Sequence, residues 1–385
     1  MKSTLLSLTL AAALSAGSTN AATYSVTNLG LYPNNGASAL AVNNVGEMGG
    51  FSTVGLTGTK QAFFASGVPN ITITNLHTQG GSLLGGASGS YAAGINEAGQ
   101  VVGQALRGDW SAYVPFISTN AGTMVEISPL GGTGGTARDI NNAGQVVGGA
   151  YTAGNTANHA YVYNTSNATA TDIGAQIIGS TTSEARGIND AGQVAGSYYT
   201  PAYAQRAFFY DGGSVTSIAT PGGGNAYATG INDSGSVVGS YYTGAYPNIE
   251  QRSFLYHGAN LTDLGELYAA GRHVEANGIN NTGQIVGWAD STNLFGQSAF
   301  LYQNGVMTDL NTLIDPASGW LLVNAYAISN AGYIVGSAVD STYGRTGAVV
   351  ILAPAVLNPV PEPETYALML AGLGLVGFAA RRKRN

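Results

Sequence analysis

The chain has 385 residues, a formal net charge of -7, and only 9% charged residues. Five of its 13 basic residues (Lys2, Arg381, Arg382, Lys383 and Arg384) sit at the two ends; the middle is therefore acidic, which argues against nucleic acid as a partner. There is no Cys, which excludes a disulfide framework, thiol catalysis and Cys-ligated zinc, while 57 Gly and 44% hydrophobic residues point to a turn-rich β chain with a packed core.

In chain order, residues 1–21 read as a secretory signal peptide. Lys2 gives the positive start, Leu5 to Leu14 the apolar run, and Thr19-Asn20-Ala21 the small residues read by a peptidase. The run is too short for a membrane span.

Residues 22–355 read as a repeat domain. One phrase places Ile or Val, then Asn, then two further residues and a Gly that is followed by a branched, Gly-ended run. Copies carry Asn43, Asn96 with Gly99, Asn141 with Gly144, Asn189 with Gly192, Asn232 with Gly235, and Asn280 with Gly283; a seventh, Ile328-Ser329-Asn330-Ala331-Gly332, has Ser for the first Asn. A second phrase is a short aromatic strand, read at Ala62-Phe63, Ala112-Tyr113, Ala160-Tyr161, Ala207-Phe208, Ser253-Phe254 and Ala299-Phe300. Its seventh copy, Ala348-Val349-Val350, lacks aromatics. A third resembles Asp-Leu-Gly, as at Asp172-Ile173-Gly174 and Asp263-Leu264-Gly265.

Asn-Asp-Ala-Gly between β-rich runs is a tight hairpin. The Asn side chain can bond the backbone two residues on, and the Gly supplies the positive φ after a type I turn. The three phrases make a four-stranded antiparallel unit that cannot bury both faces alone and must stack on its neighbours. Four strands at this period predict an all-β β-propeller. The chain enters the repeat on a lone third-phrase strand, Tyr24 to Gly30, and leaves it without one. We therefore expect seven four-stranded blades, closed by the N-terminal strand at a seam against Ala348 to Leu352. An open solenoid, or a ring of six or eight blades, stays open on the residues alone.

The turn, the aromatic strands such as His159-Ala160-Tyr161, and Thr308-Asp309-Leu310 resemble the HAF repeats of bacterial extracellular proteins. That resemblance speaks to architecture and not to chemistry.

Residues 356–385 form a tail in ordered parts. Pro361-Glu362-Pro363-Glu364 blocks helix and strand. An uncharged stretch over 366–380 predicts a short membrane helix, and Arg381, Arg382, Lys383 and Arg384 end it with the charge expected on the cytoplasmic side. Val360-Pro361-Glu362-Pro363, the helix and the basic cluster together resemble the PEP-CTERM sorting signal. The resemblance implies processing by an exosortase, so the expected partners are that enzyme and the secretion machinery, with membrane contact through the helix before processing.

Little in the chain points to a reaction. His77, His159, His257 and His273 lack metal-ligand spacing, and the Gly-rich stretch at 131–135 has no phosphate-loop context. Glu97, Asp190 and Asp233 recur with the turn and are accounted for by turn chemistry rather than calcium. Arg138, Arg186, Arg206 and Arg252 read as packing or rim groups, with acidic sugars as the other reading. The expectation is a non-catalytic scaffold or binding module without cofactor or metal, exported to the cell surface or a biofilm matrix. Exopolysaccharide is the ligand class that 22 Tyr residues suit. The alternative is a secreted glycan lyase or hydrolase using carboxylates in the channel.

Overall fold

The computed structural model describes residues 24–29, 37–54, 59–76, 89–118, 122–245, 247–269, 273–293, 295–340 and 345–354. The predicted signal peptide, His77, Pro361, Glu362, Pro363, the helix over 366–380 and the terminal basic cluster lie outside these residues. No helix among the described residues is long and apolar enough to cross a membrane.

Among the described residues the strands form seven four-stranded antiparallel sheets. Each of the first six begins on an inner strand that runs into a motif Asn. These inner strands are Ala37–Val42, Ser90–Ile95, Gly131–Ile140, Thr182–Ile188, Ala226–Ile231 and Val274–Ile279, in sheets 1 to 6. Sheet 7 takes Trp320–Ile328, Ile334–Asp340 and Arg345–Pro354 from the end of the chain and Tyr24–Asn28 from its start. Tyr24 pairs with Pro354 and Asn28 with Val350, which sets the seam two residues beyond the expected Ala348 to Leu352. The inner strand of sheet 1 packs against sheet 7, so the sheets succeed one another around a closed β-propeller.

The apolar core is divided rather than central. One cluster joins Ala41, Phe64 and Leu76 of sheet 1 to Ala92, Val101 and Phe116 of sheet 2. Corresponding clusters join each later pair of neighbours, and another joins Val335 of sheet 7 to Leu29, Ala39 and Phe63. A sheet that buries each face only against its neighbours makes every interface part of the core.

A shared bulge shapes each inner strand. Counting back from the motif Asn, the fourth residue is Ala in every sheet and is buried (Ala39, Ala92, Ala137, Ala185, Ala228, Ala276 and Ala325). The pairing register slips between this Ala and the residue two further on in all seven sheets. The slip brings the inner-strand carbonyl against the second strand. A Cβ on Gly103 would lie 1.8 Å from the Tyr91 carbonyl oxygen, and one on Gly196 2.2 Å from that of Glu184 and 2.8 Å from the Phe208 ring. This close approach is why the second strand ends its branched run in Gly.

The same register corrects two readings of the aromatic strand. In sheets 1, 3, 4, 5 and 6 the crowded Gly faces Phe63, Tyr161, Phe208, Phe254 and Phe300. In sheet 2, Gly103 faces Phe116 and not Tyr113. Phe116 is fully buried, whereas Tyr113 is 38% exposed. Pro115 stands where sheets 1, 3, 4, 5 and 6 have Ala or Ser, so an Ala-anchored reading picks the wrong aromatic. In sheet 7, Gly336 faces Val350, one residue later than read.

Candidate binding site in the channel

The repeated turn builds a girdle around the channel. Gly46, Gly99, Gly144, Gly192, Gly235, Gly283 and Gly332 all have φ between 71° and 85°, the left-handed region open to Gly. Each motif Asn is buried. Asn141 Oδ1 accepts from the amides of Ala143 and Gln145, while Nδ2 donates to Gln145 Oε1 and to the Asn189 carbonyl of the next sheet (2.9 Å). The Nδ2-to-carbonyl link repeats from Asn43 to Asn96, Asn96 to Asn141, Asn189 to Asn232, Asn232 to Asn280 and Asn280 to Ser329. Ser329 has no amide with which to continue it.

The residue after each Asn closes a second ring. Its side chain accepts from a backbone amide of the preceding sheet: Glu97 from Asn44, Asn142 from Glu97, Asp190 from Asn142, Asp233 from Asp190, Asn281 from Asp233 and Asn330 from Asn281. At the seam, Asn44 Oδ1 accepts from the Ala331 amide at 2.9 Å. The recurring acids at this mouth are therefore acceptors between sheets. Burial pushes the Glu97 carboxyl above its usual range, against the hydrogen bond from Asn44.

The residue before each Asn is branched. Val42, Ile95, Ile231, Ile279 and Ile328 line both channel cavities, of about 180 and 190 Å³, and Ile140 and Ile188 line the first, so the branched residues form an apolar collar. The first cavity is the girdle mouth. The second is a vestibule lined by the bulged residues three before the Asn: Leu40, Ala93, Arg138, Arg186, Thr229, Asn277 and Tyr326.

This is where the repeat departs from itself. Arg138 and Arg186 stand on neighbouring inner strands and hold Glu184 between them. Arg138 Nε lies 2.8 Å from Glu184 Oε1, Arg186 Nη2 3.3 Å from Oε2, and the Thr136 hydroxyl donates at 3.2 Å. Burial alone would raise the Glu184 carboxyl, but the two guanidiniums hold it below its ordinary range. The guanidinium carbon of Arg186 sits 5.7 Å from the Tyr227 ring centre. Burial raises the Tyr227 phenol, and the nearby Glu275 adds to the shift. Asp139 takes the position that other sheets give to Gly or Ala. Its oxygens accept from the amides of Ile140 (2.9 Å) and of Ile188 in the next sheet (3.1 Å). Burial pushes its carboxyl up to about 7, with Asp190 adding repulsion.

The structure thus separates the residues singled out in the sequence. Asn96, Asn141, Asn189, Asn232, Asn280 and the turn glycines ring one mouth. Arg138 and Arg186 meet in the vestibule, while Arg206 bonds the carbonyls of Gln205 and Gly224, and Arg252 pairs with Glu250 and Glu266. His159 pairs with Asp172, His273 with Asp290, and His257 with the Ser236 hydroxyl. Among the described residues no three His, Cys, Asp or Glu side chains are grouped to hold a metal ion. The sequence reading missed the interlocking role of the second turn residue, as well as Glu184, Asp139 and Tyr227. The available signal was the contrast between a constant Ala and the varied residue directly after it.

Residues 359–384 match the PEP-CTERM protein-sorting motif. With the fold, this defines a β-propeller whose sorting signal points to export, exosortase processing and a cell-surface or extracellular location. Residues 222–351 match DUF3466, a protein family of unknown function. The search of curated proteins finds no match. Among solved structures, the chain is similar to the β-propeller domain of the Trilobed protease from Pyrococcus furiosus, at 8% identity and a TM-score of 0.53, covering 82% of this chain and 93% of that one. It is also similar to YCF48 bound to D1 peptide, at 11% identity and a TM-score of 0.50, covering 89% and 98%. At these identities the likeness concerns the fold alone.

Proposed function

We propose that the protein is a non-catalytic propeller scaffold of the cell surface or extracellular matrix, and that it holds exopolysaccharide at its channel vestibule. One observation carries this reading. The polar residues of the repeated turn are consumed in joining sheet to sheet, whereas the vestibule is where charged, aromatic and amide side chains break the repeat and face solvent. Aromatic rings beside guanidiniums suit sugar faces and their acidic substituents. We read the repeat itself as HAF-type, on its Asn-Asp-Ala-Gly-Gln-Val turn.

The test is affinity electrophoresis through gels containing the producing cell's own matrix polysaccharide, with polymer length followed in parallel. Retardation without shortening supports the reading; free migration removes the binding role.

A second reading is a glycan-active enzyme. It draws on Asp139 and Glu184, carboxyls on adjacent inner strands whose titrations are pushed in opposite directions, as in acid/base pairs. Against it, both oxygens of Asp139 already accept backbone amides. Shortened polymer in the same experiment would favour it.

A further inference from the structure

We infer that the Arg138–Arg186 face of the vestibule is a carboxylate-binding subsite, the element that takes the acid group of a uronic-acid residue. The inference rests on the polysaccharide-binding reading and names the chemistry of that site. Three observations bear on it. First, two guanidiniums share one carboxylate: Glu184 faces both, and Asp139, the acid that lines the vestibule beside them, has both oxygens bonded to backbone amides rather than to an arginine. Side chains of Arg138 and Arg186 remain 39% and 37% exposed, so their outer donors stay open to the cavity. Second, Arg186 Nε is buried and has no hydrogen-bond partner. A covered donor without an acceptor is costly. A small turn of the guanidinium toward the cavity would let a planar carboxylate bridge Nε and a terminal nitrogen, the fork geometry for which Arg is suited. Third, the Tyr227 ring packs against the Arg186 guanidinium, and Tyr326 lines the vestibule from sheet 7, across the channel from the two arginines.

These two arginines are also the only charged residues at the bulged position among the seven sheets, on adjacent strands. Packing asks for no such pair, since Leu40, Ala93 and Thr229 occupy the same position elsewhere in the ring.

The experiment is calorimetric titration of the exported protein with tri-galacturonate, free glucuronate, acetate, sulfate and a neutral glucose trisaccharide. R138Q, R186Q and E184Q are compared with the parent protein, each checked for an unchanged unfolding midpoint. The expected result is binding of both uronate ligands, weakened about 10- to 100-fold in R138Q and R186Q, the loss expected for charged hydrogen bonds. E184Q releases both guanidiniums and binds uronate more tightly, an outcome that damaged folding would not produce. Acetate binding as strong as glucuronate would assign the site to free small carboxylates rather than to sugar acids and overturn the uronate assignment. Sulfate or neutral trisaccharide binding equal to uronate, or full affinity in R186Q, overturns the carboxylate site. If R138Q and R186Q keep the parent's affinity for the native polysaccharide, the subsite falls and the scaffold reading stands. If uronate binds through the arginines but native polysaccharide is ignored, the subsite stands and the scaffold reading falls.

Discussion

Replacing Asn189 by Ala tests whether the girdle holds the ring together. Asn189 is 3% exposed. Its Oδ1 accepts from the Gln193 amide at 2.9 Å, and its Nδ2 donates to Gln193 Oε1 at 2.8 Å and to the Asn232 carbonyl at 2.9 Å. The Asn232 carbonyl keeps a second donor, Gly235 N, so its loss is partial. The Gln193 amide loses the side-chain acceptor it has in this turn. At about 1 kcal/mol for each hydrogen bond, with more for the amide left without that acceptor, the cost comes to roughly 3 kcal/mol. Asn189→Ser should cost less, because a Ser hydroxyl can accept from the amide four residues on, as Ser329 does from Tyr333 at 3.2 Å. Urea unfolding followed by near-UV circular dichroism gives the comparison. Asn189→Ala within about 0.5 kcal/mol of the parent, or at least as stable as Asn189→Ser, would refute a girdle that holds the ring together.

Three further outcomes follow. Gly196→Ala forces a Cβ to 2.2 Å from the Glu184 carbonyl oxygen. It should destabilise by about 3 kcal/mol or prevent folding, measured by urea midpoint, and a neutral result would contradict the bulge. Asp139 has a folded-state pKa of about 7 against 3.8 for the free side chain, so between these values the folded state holds a proton that the unfolded chain releases. Its contribution therefore favours folding at low pH and is lost as pH rises from about 4 to 7. Relative to Asp139→Asn, the parent's melting temperature should fall across that window, and parallel curves would contradict the shift. Finally, intact-mass spectrometry of the exported protein should show a chain lacking the residues beyond the Pro-Glu-Pro motif, and a mass that retains Asn385 would contradict processing.

How far the sequence could be read depended on the range of each interaction. The hairpin was legible because its requirements are local: a positive φ at Gly99 and its equivalents, and an Asn that bonds its own turn. The pairing of Tyr24–Asn28 with the last strand was legible because the two ends of the chain hold complementary parts of one unit. The aromatic strand of sheet 2 was misplaced because Pro115 replaces the small residue used as a marker, and only the Gly103 pairing singles out Phe116. The vestibule was beyond reach for a different reason. Which strand lies innermost is decided by packing between sheets, so nothing local says that Arg138 and Arg186 face a channel or that Glu184 lies between them. For the same reason Asp190 and Asp233 read as turn acids, although their partners lie 48 and 43 residues away in the preceding sheet.

The most direct test of the account is a crystal structure of the exported protein with bound tri-galacturonate. One sugar carboxylate should lie in the vestibule, bridging Arg138 and Arg186, with the girdle mouth unchanged. Ligand bound only at the girdle mouth or on the outer rims of the sheets, with both arginines free of it, would contradict the account.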